Sequence, residues 1–244
     1  MNQAFYHFLF LAFFLALPAC SDDYDTATHH HSVQSHQYKE AQSPPHTSLQ
    51  DQYKKSNKEN EVGNNRWIWQ KPQVVIDKLQ PLAGKVVADI GAGPYGYFAF
   101  RIAHQSPVEK VLAIDIDAEA LQFIEETKSL LDKNISDRIE TRLVESHDPM
   151  LKEGEADIVL IVNTVPYFED RVDYFSRLRK GLRKGGKIVI VDFKKRNTPV
   201  GPPPSERVAL AKVEKELKQS GFKRLEVDDR ALEYQYIITA ERVE

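Results

Sequence analysis

A single cysteine, Cys20, stands in a chain of 244 residues. Disulfide frameworks, cysteine-based zinc sites and dithiol chemistry within one chain are therefore excluded. Cys20 also lies in no segment that reads as foldable, which argues against a catalytic thiol. No sign of charge dominates: 33 Lys+Arg face 36 Asp+Glu, a formal net charge of −3. A general nucleic-acid binder carries a basic excess, so nucleic acid is not expected as a partner. Residues 21–61 hold 7 acidic and 4 basic residues, which leaves residues 62–244 formally neutral. The apolar run at 8–17, FLFLAFFLAL, is ten residues long. A helix that spans a bilayer needs about 20. What is present is enough length for one or two domains with a sizeable core. There is no internal repeat.

The apolar run fits the central region of a secretory signal. It ends in Leu17-Pro18-Ala19-Cys20, which resembles the bacterial lipobox. That resemblance implies a diacylated Cys20 as the mature N-terminus and, with Ser21 behind it, an outer-membrane anchor. Pro18 and the lack of Lys or Arg before the run depart from the pattern. An ordinary cleaved signal or an uncleaved membrane anchor over 1–20 are the alternatives. Residues 21–61 are polar and poor in aliphatics, and they bury too little surface to offset their ordering entropy. They read as a disordered linker. His29, His30, His31 and His36 lie in it without a preorganised carboxylate or Cys, so a solvated tract is favoured over a metal site.

From residue 62 a globular domain is expected. Pro72 suits a first helical turn, with Val75, Ile76 and Leu79 on one face. Apolar strands are predicted at 85–90, 111–114, 142–144 (as the end of a strand), 157–162 and 187–191. Helical patterns fall between them: Phe98, Ile102 and Ala103; Leu121, Ile124 and Leu131 behind an Asp117 cap; Val172, Phe175, Leu178 and Leu182. Gly185-Gly186 reads as the turn into the fifth strand. Ser205 reads as the start of a helix ending at Gly221, before strands at 225–227 and 234–239. This alternation predicts an α/β fold, a doubly wound and mostly parallel seven-stranded sheet. The last two strands lack a helix between them and predict an antiparallel edge pair.

In such a sheet ligands bind beyond the carboxyl ends of the strands, where strand order reverses. The first strand exits through Asp89-Ile90-Gly91-Ala92-Gly93-Pro94-Tyr95-Gly96. Glycines there let a ligand approach the backbone. The second strand ends at Asp115, 24 residues after Gly91, where a carboxylate can accept both hydroxyls of a ribose. The spelling is G-x-G-x-x-G, so an NAD-dependent oxidoreductase is one reading. Asp89 opposes it, because a negative charge sits poorly beside a pyrophosphate and well beside a cationic ligand. The antiparallel edge pair opposes it as well.

Together these segments resemble the class I S-adenosylmethionine-dependent methyltransferases over about residues 66–240. VADIGAGPYGYF is similar to the first motif of that family, LAIDID to the second, ADIVLIVNTVPYF to the fourth, and LRKGGKIVIVDFK to the helix end, turn and fifth strand that follow. WQKP, GPPP and YQYIIT resemble a bacterial subgroup, often exported, of uncharacterised substrate. The resemblance implies S-adenosylmethionine as cofactor. It places Gly91 and Gly93 against its methionine and ribose part, with Gly96 serving the same loop. Asp115 would hold the ribose hydroxyls, Glu145 the adenine amino group, and Asn163 would close the methionine end. Pro94-Tyr95 lengthens the glycine turn by one residue against the subgroup's usual spelling.

Methyl transfer from a sulfonium asks mainly for alignment and desolvation, so the acceptor leaves little trace in sequence. A small molecule is expected. Asn163-Thr164-Val165-Pro166-Tyr167 has the wrong spacing for the Asn-Pro-Pro-Tyr tetrad of amino-group methylases, and arsenite methylation needs more cysteines. Tyr95, Tyr167 and Phe168 are candidates to line an acceptor pocket, and Trp67 and Trp69 read as core or lid packing. The expected location is the bacterial cell envelope, as a periplasm-facing lipoprotein. S-adenosylmethionine is a cytosolic metabolite, so the alternatives are an anchored domain facing the cytosol or a lipid-anchored module that binds a nucleoside without turnover.

Overall fold

A computed structural model describes residues 65–244. The apolar run, Cys20, the histidine tract and the expected domain boundary at residue 62 lie outside the described residues. No helix among the described residues is long and apolar enough to cross a membrane.

Two helices open the domain, α1 (Arg66–Gln70) and α2 (Pro72–Leu79). Strand β1 (Val86–Ile90), helix α3 (Tyr97–Gln105), strand β2 (Lys110–Asp115) and helix α4 (Ala118–Lys128) follow. A short helix α5 (Lys133–Ser136) leads to β3 (Ile139–Leu143) and β4 (Ala156–Val162). The chain closes with α6 (Arg171–Gly181), β5 (Leu182–Phe193), α7 (Leu210–Gln219), β6 (Lys223–Asp228) and β7 (Gln235–Glu241).

The sheet has seven strands in the order β3-β2-β1-β4-β5-β7-β6. Strands β1 to β5 are mutually parallel, and β7 runs antiparallel to both β5 and β6. This is the doubly wound sheet with an antiparallel edge pair that the alternation of segments predicts. Strand order reverses between β1 and β4, so a crevice opens at their carboxyl ends.

Alternation along each strand feeds two cores. Val87, Val111, Ala113, Ile158, Leu160 and Val189 point to one face, where α2, α3 and α4 bring Ile76, Phe98, Ile102 and Ile124. Ala88, Leu112, Val159, Ile161, Ile188 and Ile190 point to the other, where α6 and α7 bring Phe175, Leu178, Val213 and Leu217. Both faces are covered, which is why these strands are unbroken Val/Ile/Leu runs. The edge strand β6 is exposed and carries Lys223, Arg224, Glu226 and Asp228, charges that discourage pairing with another sheet edge.

Four local expectations are corrected. Helix α4 stops at Lys128, and Leu131 lies beyond it, half-buried, before α5. Leu182 is not on the helical stripe of α6 but is the first residue of β5. Gly185-Gly186 is then not a turn before the strand but a bulge inside it, since Ala156 pairs with Leu182 and Ile158 with Lys187. The glycines are required there. Gly185 has φ +74, and a Cβ on Gly186 would lie 2.8 Å from the carbonyl oxygens of both Arg183 and Asp157. Finally, Ser205 belongs to a single 3-10 turn (Pro204–Glu206), and α7 begins only at Leu210. The reason is Arg207, which is 3 % exposed and holds an extended conformation between the two helical pieces.

Candidate functional site

At the exit of β1 the chain must turn sharply between two neighbours. Gly91 has φ +74, and a Cβ there would lie 2.4 Å from Oγ1 of Thr164 on the β4 side. Its N–H donates to the Ile114 carbonyl at 2.8 Å, which ties the turn to β2. Gly93 also has positive φ, +67, but an added Cβ would meet open space. So Gly91 permits close strand packing, whereas Gly93 leaves room for a ligand.

Asp115 ends β2 across from this turn. Its Oδ2 accepts the Gly93 N–H at 2.8 Å and its Oδ1 accepts the Asp117 N–H at 3.0 Å. Each oxygen keeps a further lone pair for a bound hydroxyl. Asp117 in turn caps α4 by accepting the Glu119 N–H at 2.9 Å, so the two aspartates divide capping from site.

A cavity of about 620 Å³ lies over these residues, lined among others by Gly91, Gly93, Asp115, Ile116, Asn163 and Thr164. That volume lies within the range that holds a cofactor. Ile116 is 60 % exposed, an apolar side chain at the mouth beside a carboxylate. Val144 and Phe168 add apolar wall. The cavity thus combines a carboxylate with free lone pairs, an open glycine backbone and apolar walls.

Of the seven residues expected from sequence, Gly91, Gly93, Asp115 and Asn163 line this cavity, and Asp89, Gly96 and Glu145 do not. Asp89 is 3 % exposed, one layer beneath. Burial pushes its carboxyl up to about 7 and Asp115 adds to the rise, while Arg66 and the Ala99 N–H at the start of α3 pull it down. Gly96 is the cap of α3 with φ 49, and a Cβ there would meet the Phe100 ring at 2.9 Å. Glu145 is exposed and forms an isolated bridge with Asp148, while its neighbours Val144 and Ser146 reach the wall.

Asn163 leaves β4 with φ 59. Its Oδ1 accepts from Gln235 Nε2; the buried Gln235 accepts from Gln70 Nε2 at 3.1 Å, and Gln70 accepts from Arg66 Nε. This chain of amides crosses from α1 through β7 to β4, and it fixes both Arg66 and Asn163 at the cavity wall. Sequence reasoning missed Arg66, Gln70 and Gln235, because Gln235 lies 165 positions from Gln70 and 72 from Asn163.

A second cavity of about 470 Å³ adjoins the first and shares Arg66, Asn163 and Tyr167 with it. Trp69, Pro166, Asp192, Phe193 and Pro202 line it too. Trp69 packs on Phe193 with ring centroids 5.5 Å apart. Of the expected aromatic lining, Tyr167 reaches both cavities, Phe168 only the first, and Tyr95 packs edge-on against Phe123 instead. Among the described residues no group of three or more His, Cys, Asp or Glu is placed to hold a metal.

Residues 88–190 match the family described as methyltransferase domain. The chain is 30% identical over 131 residues to a tRNA U34 carboxymethyltransferase of Sulfurovum, a match over 51% of this chain and 40% of that one. The chain thus spans less than half the length of the curated relatives it matches. A S-adenosylmethionine-dependent methyltransferase of Aquifex aeolicus has the same fold, with a TM-score of 0.65, 21% identity, and coverage of 81% of this chain and 100% of that one. So does a Haemonchus contortus phosphoethanolamine N-methyltransferase solved with S-adenosylmethionine, with a TM-score of 0.60, 15% identity, and coverage of 81% and 60%.

Proposed function

We propose that the domain is a class I S-adenosylmethionine-dependent methyltransferase, a reading supported by the family match over residues 88–190 and by the shared fold, and that the chain transfers a methyl group to a small molecule held in the second cavity. One observation carries the reading: two cavities meet at Asn163, one walled by Asp115 and open glycine backbone, the other by aromatic and proline side chains. A donor and an acceptor need such adjoining chambers.

When bound, S-adenosylmethionine supplies an electrophilic methyl on a sulfonium. The chain's own residues have three tasks. Asp115 accepts the ribose hydroxyls in charge-assisted hydrogen bonds. Ile116 and Val144 flank the base, and the exposed Gly93 backbone lets the ribose approach. Asn163, held by Gln235, borders both chambers and aligns the two reactants, a contribution that effective-molarity arguments rate as large. Asp89 places a carboxyl beneath a cationic ligand, where its ionised form is favoured by that charge.

The relatives named tRNA U34 carboxymethyltransferases suggest a second donor. Its transferred group would carry a carboxylate, and Arg66 is a cation lining both cavities. The formal neutrality of residues 62–244 weighs against a tRNA acceptor. An envelope location through Cys20 stays a separate proposal, tested by palmitate labelling of wild type and Cys20→Ser.

Incubation with isotopically labelled S-adenosylmethionine and a small-molecule extract tests the function. Mass spectrometry is expected to find S-adenosylhomocysteine and a product that gains one methyl. Repeated with a donor whose sulfonium bears a carboxymethyl group, the same assay would assign the second donor if the product gains a carboxymethyl. No transfer, with S-adenosylhomocysteine still bound, would mean a binding module without turnover.

A further inference from the structure

We propose that the methyl acceptor is a small, flat, neutral molecule bearing a hydroxyl, and that Asp192 is the catalytic residue that takes the hydroxyl proton. This rests on the methyltransferase reading above and names the acceptor chemistry of the second cavity.

Asp192 is 2 % exposed at the carboxyl end of β5 and lines that cavity. Val162 pairs with Val191, so Asp192 lies one strand across from Asn163, where the two chambers meet. Its Oδ1 accepts the Phe193 N–H at 2.7 Å. Its Oδ2 is buried and accepts no hydrogen bond from the described residues. A buried carboxylate oxygen without a close partner is costly, and the Val165 N–H and the Arg207 charge relieve it only in part.

Two side chains near enough to relieve it are turned elsewhere. Tyr236 pairs with Asp192 across the β5–β7 ladder, yet its hydroxyl donates to the Val208 carbonyl at 3.3 Å. Arg207 donates to the carbonyls of Lys194, Arg196, Val200 and Pro202 and to the Thr198 hydroxyl. The free lone pairs of Oδ2 are therefore left for a ligand.

The ligand's chemistry follows from what surrounds that oxygen. One unpaired acceptor atom matches one donor. A hydroxyl brings one, whereas a neutral amine brings two, and an ammonium has no lone pair with which to attack the methyl carbon. An anionic nucleophile would be repelled by Asp192. The aromatic and proline walls favour a planar apolar body.

The step balances within this site. The acceptor oxygen forms a bond to the methyl carbon, the carbon–sulfur bond breaks with its electron pair leaving on sulfur, and the O–H proton passes to Asp192 Oδ2. Burial pushes the Asp192 carboxyl up to about 6, against the pull of backbone hydrogen bonds from the Phe193 and Val165 N–H groups and of the Arg207 charge, a value suited to a base near neutral pH. The other ionisable groups around it are Tyr236 on β7, Arg207 before α7, Arg66 on α1, and Tyr167 and the exposed Glu206 in the cavity wall. Asp89, raised to about 7, titrates on the donor side.

The test uses the full chain saturated with S-adenosylhomocysteine and three probes: 2-naphthol, 2-methylnaphthalene and 1-naphthylmethylamine. Fluorescence titration is expected to show 2-naphthol binding at least about tenfold tighter than 2-methylnaphthalene, with that preference lost in Asp192→Leu. With S-adenosylmethionine, Asp192→Asn should lower kcat for 2-naphthol about 100-fold. It should also erase a pH break near 6. Asp192→Asn keeps the side-chain shape and removes a buried charge, so it is expected to fold. Equal binding of 2-naphthol and 2-methylnaphthalene, no binding of either, methylation of the amine instead, or an unchanged kcat and pH profile in Asp192→Asn would each overturn the proposal. Failure of S-adenosylhomocysteine to bind the wild type would strike the underlying methyltransferase reading instead.

Discussion

The Asp115 carboxylate accepts two backbone N–H groups and still has lone pairs for a diol. Asp115→Ala is expected to weaken S-adenosylhomocysteine binding about 10- to 100-fold, the size of one or two charge-assisted hydrogen bonds. Glu145→Ala should leave that affinity unchanged, because Glu145 is exposed and off the cavity wall. The paired glycines separate strain from collision. Gly91→Ala and Gly93→Ala each carry a left-handed backbone penalty of about 1–2 kcal/mol. Gly91→Ala adds a clash with Thr164, so urea unfolding should find it the less stable of the two; equal losses would contradict the packing described. Asp89 sets a pH dependence. Its folded carboxyl holds a proton more tightly than the unfolded chain does, so it costs nothing below about pH 4 and destabilises progressively up to about pH 7. A shift of that size corresponds to about 4 kcal/mol at pH 8. Asp89→Asn should therefore gain on wild type between pH 4 and 7 in urea titrations, and a constant difference across that range would refute the buried, protonated carboxyl.

Helix and strand existence was legible because periodicity is local, while boundaries set by distant partners were not. Leu182 continues the spacing of Phe175 and Leu178, yet it pairs with Ala156 on β4 and belongs to the strand. Ser205 resembles a helix cap, but the carbonyls that Arg207 gathers from the 194–202 loop delay α7 until Leu210. That loop supplies Gly201 and Pro202 to the second cavity. Arg207→Met keeps an unbranched apolar stem and loses all five acceptor partners. It is expected to cost about 2–4 kcal/mol and to speed proteolysis within residues 194–207. Cleavage at the wild-type rate would show that the loop holds itself. The first cavity was partly legible, since β1 and β2 end in a glycine turn and an aspartate. Asp192 was not, although a lone acid closing the run KIVIVD was a signal in plain view.

At the scale of the whole molecule, seven strands in the order β3-β2-β1-β4-β5-β7-β6 put the reversal point between β1 and β4. The crevice follows from the winding, and so the donor site was foreseeable from the alternation of segments. The acceptor chamber was not, because it is assembled from residues near 66, 163, 192 and 202 that only the finished fold brings together. The central claim is that the crevice beside Gly91, Gly93 and Asp115 grips the nucleoside of a cationic methyl donor. Isothermal titration calorimetry of the full chain with S-adenosylhomocysteine, with NAD as control, tests it most directly. The account predicts saturable binding of S-adenosylhomocysteine, weakened in Asp115→Ala, and no heat from NAD. Binding of NAD in its place, or S-adenosylhomocysteine binding that Asp115→Ala leaves intact, would contradict it.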